Sequence, residues 1–306
     1  MATDPQDLTT TAPSAGIQPV AIRLAEVERY ALLEQLGEGA MGVVYAAYDA
    51  TLDRKVALKL LPDHQLGGEH RDRLLREARA LAQLSHPNVV AVYDVGETQG
   101  RVFFAMEFVR GQTVAAWARE RRTLEEILDV FRAAARGLAA AHAASLVHRD
   151  VKPSNLLLGD DGRVRVADFG LAHPGRGLAA GTPDGPGVVT GFAGSPAYMA
   201  PEQLRDAIAD ARSDQFALCV SLYEVLHGRR PFSGETPAEL LAAIEAGPSP
   251  PARAVPAWVT SALARGLALD PASRFPDMAA LVSALVPLTG PRSRRQRPRA
   301  SPTRAS

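Results

Sequence analysis

The chain predicts an α+β fold in which a strand-rich N-terminal portion with one long helix precedes a larger, mostly helical portion. Three observations carry this. Between Tyr30 and Phe108, β-branched and aromatic runs are broken by glycine and turn residues; residues 70–84 in the middle of them keep a helical apolar stripe; and from Thr123 onward capping signals introduce helical segments.

Taken in order, residues 1–26 are rich in Thr, Pro, Ala and Asp without periodicity, the composition of a disordered arm. They lack the basic start and apolar stretch of a secretory signal. Tyr30 to Leu36 and Val43 to Tyr48 read as strands flanking Gly37-Glu38-Gly39-Ala40-Met41-Gly42. A dinucleotide-binding turn needs a helix directly after such glycines, whereas a β-branched and aromatic run follows here. The remaining readings are a hairpin folded over nucleotide phosphates and a glycine hairpin with no ligand.

Val56-Ala57-Leu58-Lys59 forms the next strand, and alternation puts Lys59 on the face of Ala57. A solvent-facing lysine at a strand end is the plain alternative. In the following helix Leu74, Ala78 and Leu81 make one stripe and Glu77 falls on it. A carboxylate on an apolar face needs a cation, and Lys59 is the expected partner; Glu69 and the other charges belong to a solvated face. Ser85-His86-Pro87-Asn88 ends the helix, and strands are expected over Val89–Val95 and Arg101–Phe108.

Thr123-Leu124-Glu125-Glu126 is a capping box that opens a helix to about Ala143. The loop His148-Arg149-Asp150-Val151-Lys152-Pro153-Ser154-Asn155 follows, its Pro153 preventing a helical continuation before the strand Leu156-Leu157-Leu158. Asp150 can accept a proton or orient a hydroxyl, Lys152 can neutralise an anion, and Asn155 can offer an amide oxygen to a hard cation. The loop alone could equally be a polar connection. A second carboxylate arrives with Asp168-Phe169-Gly170, after the strand-like run 163–167.

H-R-D-x-K-x-x-N followed by D-F-G resembles the catalytic loop and metal-binding triplet of the eukaryotic-type (Hanks-type) serine/threonine protein kinases, most similar in character to bacterial ones. The resemblance runs in order from residue 37 to residue 274. It implies a bilobal kinase-like fold over residues 27–287: a small β-rich lobe with one long helix over about 27–109, then a larger helical lobe over about 110–287. It also implies ATP and Mg²⁺, with Mn²⁺ as a substitute. Gly37, Glu38, Gly39, Gly42, Val44, Ala57, Lys59, Met106, Glu107, Val109 and Leu157 would surround the nucleotide; Met106 could equally be core filler. Asn155 and Asp168 would hold the metal, Lys59 and Lys152 would neutralise phosphate charge, Asp150 would orient the acceptor hydroxyl, and Glu77 would pair with Lys59.

The long Gly, Pro, Ala and Thr stretch from residue 171 to Gly194 matches the kinase activation segment, which ends in Ala200-Pro201-Glu202. Arg274 is the expected partner of Glu202. Phe169 and Gly170 would be structural, and Ser195 stands where the family commonly has Thr, which keeps the hydroxyl. Asp214 resembles the residue that clamps the catalytic loop; the bland reading is a helix N-terminal carboxylate. Arg149 before Asp150 implies regulation by a phosphate, with Thr190 as first candidate and Thr182 as second. Implied partners are proteins with Ser/Thr acceptors, and a second copy for autophosphorylation. A pseudokinase scaffold and a small-molecule phosphotransferase are the alternatives.

Composition sets the remaining bounds. A hydrophobic fraction of 46 % is ample for a packed core. Cys219 is the only cysteine, which excludes an internal disulfide and a cysteine metal site. The run Phe216–Leu226 is too short to span a bilayer and contains Glu224. Formal charge is zero, but Arg292, Arg294, Arg295, Arg297, Arg299 and Arg304 lie in an acid-free tail over residues 288–306, so the rest stands at −6. No nucleic-acid face is expected on the body, the tail reads as disordered, and a cytoplasmic location without a membrane span is expected. Lys55, Lys59 and Lys152 are the only lysines, two of them where the resemblance places an ammonium beside phosphate.

Overall fold

The computed structural model describes residues 26–39, 42–61, 68–169, 196–206 and 208–287, with the side chains of residues 26 and 68–73 left aside. Gly170, Thr182, Thr190, Ser195, Glu69 and the two terminal segments are outside the described residues or side chains.

Six strands form an antiparallel sheet: β1 (Glu26–Val27), β2 (Tyr30–Gly39), β3 (Gly42–Asp49), β4 (Arg54–Leu60), β5 (Val92–Thr98) and β6 (Arg101–Glu107), in the order β1-β2-β3-β4-β6-β5. The glycine segment is the tip of the β2–β3 hairpin, with Gly39 opposite Gly42. Helix α1 (Gly68–Gln83) packs on the sheet through Leu74 and Ala78, which join Leu61, Val102 and Phe104 in one apolar cluster. Two turns beyond Leu74, Leu81 belongs instead to the large core of the second half. The helix therefore touches both halves.

β5 starts at Val92, three residues later than the composition suggests. Val89 and Val90 are diverted to another strand: Val90 N–H donates to Val166 O at 3.0 Å, and Val166 N–H to Asn88 O at 2.9 Å. Backbone bonds there stitch the connection between the halves rather than extending β5.

The second half contains a small sheet of β7 (Gly111–Thr113), β8 (Leu156–Gly159) and β9 (Val164–Val166). Helices α2 (Val114–Trp117), α3 (Leu124–Ala143), α4 (Pro201–Asp206), α5 (Ala211–His227), α6 (Pro237–Ala246), α7 (Ala257–Gly266) and α8 (Met278–Ala284) complete it. The box at Thr123 forms as its residues predict, Thr123 Oγ1 accepting from Glu126 N–H and Glu126 accepting from Thr123 N–H. α5 is buried on nearly all sides, as a helix without a polar face must be. Its cap is Asp210, not Asp214. Asp214 sits in the first turn, 1 % exposed, and turns inward.

Candidate active site

Asp214 explains why the loop at 148–155 holds its shape. Its Oδ2 accepts from His148 N–H at 2.8 Å and lies 2.7 Å from His142 Nε2, and its Oδ1 accepts from Arg149 N–H at 2.8 Å. One buried carboxylate thus satisfies two loop amides, which allows Arg149 to sit at φ 69°, a region that costs a side-chain-bearing residue of order 1–3 kcal/mol. His148 is fixed from both ring nitrogens: Nδ1 accepts from Asp150 N–H at 3.2 Å, so Nε2 donates to Ala167 O at 2.8 Å.

Asp150 is 6 % exposed, and among the described residues its carboxylate meets Lys152 and Asn155. Lys152 Nζ is 2.8 Å from Oδ2, and Asn155 Nδ2 donates to Oδ2 at 3.0 Å and to the Asp150 carbonyl at 2.8 Å. With its nitrogen committed, Asn155 has, among the described residues, its amide oxygen left for a cation. Asn155 O also accepts from Ala167 N–H at 2.9 Å, which ties this loop to the one bearing Asp168.

Asp168 adopts φ 56°, a second strained position, and receives Lys59 Nζ at 3.0 Å. The next residue, Phe169, is buried with its ring 4.7 Å from that of His148. A cavity of about 30 Å³ lies between Phe169 and Met106, bounded by Lys59, Leu81, Phe104 and Asp168. Lys59 stands opposite Val44 and Phe104 in the sheet, and Ala57 opposite Met106. Leu157 pairs with Thr113 and Arg165 on the small sheet.

The expected pairing of Lys59 with Glu77 is not found. Glu77 is bound on both oxygens by Arg149, at 3.1 and 3.2 Å, while Lys59 takes Asp168. Glu77 lies on the inward stripe of α1 and does meet a cation, but it is the forked guanidinium of Arg149 from the other half that lies within reach of both its oxygens. Sequence spacing cannot choose between two cations that both face one helix.

At the crossing between halves, Glu107 N–H is consumed by Ala91 O at 2.8 Å, so any backbone donor to a base must come from Phe108 or Val109. Glu107's carboxylate holds Arg165 Nε at 2.9 Å. Glu38 is exposed and accepts from Gln35 Nε2 at 3.1 Å. A Cβ built on Gly37 or Gly39 meets nothing within 4 Å, whereas one on Gly42, at φ 114°, would lie 2.1 Å from Leu60 O. Packing therefore explains Gly42 alone. At Gly37 and Gly39 the missing side chain leaves open space, as a phosphate cradle would require.

Further out, Arg274 grips Glu202 with two guanidinium nitrogens at 2.8 and 2.9 Å and is itself fully buried. Glu202 also accepts from Ser213 Oγ at 2.8 Å. Burial alone would raise its pKa, but the bonds from Arg274 hold it below the ordinary glutamate value. Tyr198 donates to Glu224 at 2.6 Å, and burial with that bond pushes the phenol upward.

A model of the protein kinase domain matches residues 30–283. The chain belongs to the protein kinase family. Within it, the chain is 39% identical over 260 residues to the serine/threonine-protein kinase PknL of Mycobacterium tuberculosis, covering 83% of this chain and 64% of the relative. It is 35% identical over 254 residues to PrkC of Bacillus subtilis (81% and 38%), and 38% identical over 235 residues to PknF of Mycobacterium tuberculosis (73% and 48%). The chain thus spans less than two thirds of the length of these relatives. No helix among the described residues is long and apolar enough to cross a membrane.

Two contributors are not foreseen by the sequence. His142 supports Asp214, and Gln203 bridges Ala200 N–H (3.0 Å) and the Arg149 carbonyl (3.3 Å). For His142 a signal exists, since it falls four residues after Leu138 on the buried side of α3.

Proposed function

We propose that this kinase domain transfers the γ-phosphoryl group of ATP to serine or threonine hydroxyls of proteins, in signalling and on the cytoplasmic side, where ATP and Mg²⁺ are available. The observation that carries the reading is the chain of bonds joining Lys152, Asp150, Asn155, Ala167, Asp168 and Lys59 around one cleft. The names of the relatives support serine and threonine as acceptors.

Asn155 Oδ1 and the Asp168 carboxylate make a two-oxygen donor set, which suits Mg²⁺ because that ion keeps most of its shell for water and phosphate oxygens. When bound, Mg²⁺ supplies charge neutralisation at the phosphates. Everything else is done by this chain. The glycine hairpin covers the phosphates, Lys59 turns from Asp168 toward them, and Lys152 neutralises charge beside Asp150. Asp150 orients the acceptor hydroxyl and takes its proton as oxygen bonds to the γ-phosphorus and the bond to the β–γ bridging oxygen breaks, releasing ADP. Positioning and electrostatics account for the acceleration.

Transfer of label from ATP to a protein substrate, run beside Asp150→Asn, tests this. Loss of the carboxylate is expected to lower kcat by about 10²–10⁴-fold with nucleotide affinity kept. Equal label transfer by both proteins would end the enzyme reading and leave a nucleotide-binding scaffold.

The same geometry supports a regulatory reading. Arg149 is the group a phosphate on the segment between residues 170 and 195 would seek, with Thr190 preferred and Thr182 next. Glu77 now occupies it, so a phosphate there must displace Glu77 and free it for Lys59. A second copy of the chain would install that phosphate.

A further inference from the structure

At the far end of α5 from the catalytic loop lies a pocket of about 200 Å³ that none of the chemistry above uses. Its walls carry Arg119, Arg121, Arg122 and Arg253, with Glu120 as the only acid among the described residues and His227 beside them. Glu120 is matched to Arg122 at 2.6 Å, and Arg122 also donates to Trp117 O. Arg119, Arg121 and Arg253 are exposed and make no ion pair among the described residues. His227 is 6 % exposed; its Nδ1 accepts from Arg253 N–H at 3.3 Å, which leaves Nε2 as a donor. Three uncompensated guanidiniums and a neutral imidazole N–H around one concavity form a receptor for a compact polyanion, in a chain whose body is otherwise acidic.

We propose that this pocket docks a phosphorylated serine or threonine of a protein substrate, so that a first phosphate on the substrate anchors it for a second transfer. This rests on the phosphotransfer reading, because that activity generates the group to be bound. The pocket suits one head group rather than an extended acidic run, since it is small and concave with its cations on the rim. From Asp214 to His227 the helix rises about 20 Å, so an extended peptide needs roughly six residues or more between the anchor and the acceptor hydroxyl. Glu224, one turn before His227, accepts from Tyr198 of the segment leading to Glu202, so the last turns of α5 that reach the pocket also touch that segment.

The test is fluorescence anisotropy with the full, phosphatase-treated chain and no nucleotide, using one peptide in phosphoserine, serine and glutamate forms, the phosphoserine seven residues from an acceptor serine. The phosphoserine form is expected to bind at least tenfold more tightly than the other two. Arg119→Ala/Arg121→Ala/Arg253→Ala is expected to remove that difference, while Arg149→Ala keeps it. Transfer to the phosphoserine peptide should show a lower KM than transfer to the serine form, with kcat unchanged. The proposal is overturned if the triple variant binds like the parent, if Arg149→Ala abolishes the preference, or if the glutamate form binds equally. Should the triple variant melt early, the charge reversal Arg121→Glu tests the same contact from one exposed position. Binding is measured without ATP, so even a chain inactive in transfer would show whether the pocket takes the phosphopeptide.

Discussion

Arg274 and Glu202 show how much of one buried ion pair can be read ahead of a structure. Of the several arginines downstream of the Ala-Pro-Glu triplet, the resemblance picks out Arg274, and a buried carboxylate must have a cation, so the two can be paired in advance. Ser213 and the carbonyls of Arg212 and Ala268, which complete the site, are not legible, since loop backbones carry no signal of where they will converge. Arg274→Ala should therefore destabilise by about 3–5 kcal/mol in urea unfolding, the cost of stranding a buried partner. The pair also sets a pH limit. Glu202 has a folded pKa below its unfolded value near 4.5, so its contribution is complete above that value and is lost as pH falls through the folded one. Acid titration of Tm should show a fall on that side that Glu202→Gln lacks. Cys219, by contrast, is pushed up to about 12 by burial and should resist alkylation in the folded protein.

Among the elements, the glycine hairpin is the most legible, because a strand on each side of the glycines excludes a helix-based turn. What composition does not separate is which glycines serve the fold and which serve a ligand. The close approach of Gly42 to Leu60 O separates them: Gly42→Ala should lower Tm measurably, whereas Gly37→Ala and Gly39→Ala should leave Tm unchanged and raise KM for ATP. The start of β5 is misplaced for the opposite reason. Val89 and Val90 have the composition of a strand and do pair with one, but their partner Val166 is 76 residues away from Val90. Apolar strand residues announce that they pair, not with whom. The same gap hides His142, whose helix is legible but whose neighbour on α5 is not.

For the whole molecule the main discrepancy is the choice of cation by Glu77, because it concerns how α1 sits between the two halves. The stripe that carries Glu77 inward is legible, yet Lys59 and Arg149 come from different halves, and selecting between them is a matter of relative placement. A helix anchored at one end to the sheet and at the other to the large core is suited to move between the two partners. A coupling of about 1–3 kcal/mol is enough to change activity about 5–150-fold, so phosphatase-treated and autophosphorylated protein should differ by that order in kcat. In Arg149→Gln the two forms should be equal, since neither Glu77 nor a phosphate then has a guanidinium to contest. The scarcity of lysine has a practical corollary. With one amine near the start of β4 beside Phe108 and the other two flanking the cleft, an acylating nucleotide probe would leave a label map of very few sites, and protection of Lys59 and Lys152 against that reagent becomes a direct gauge of occupancy in a crude extract.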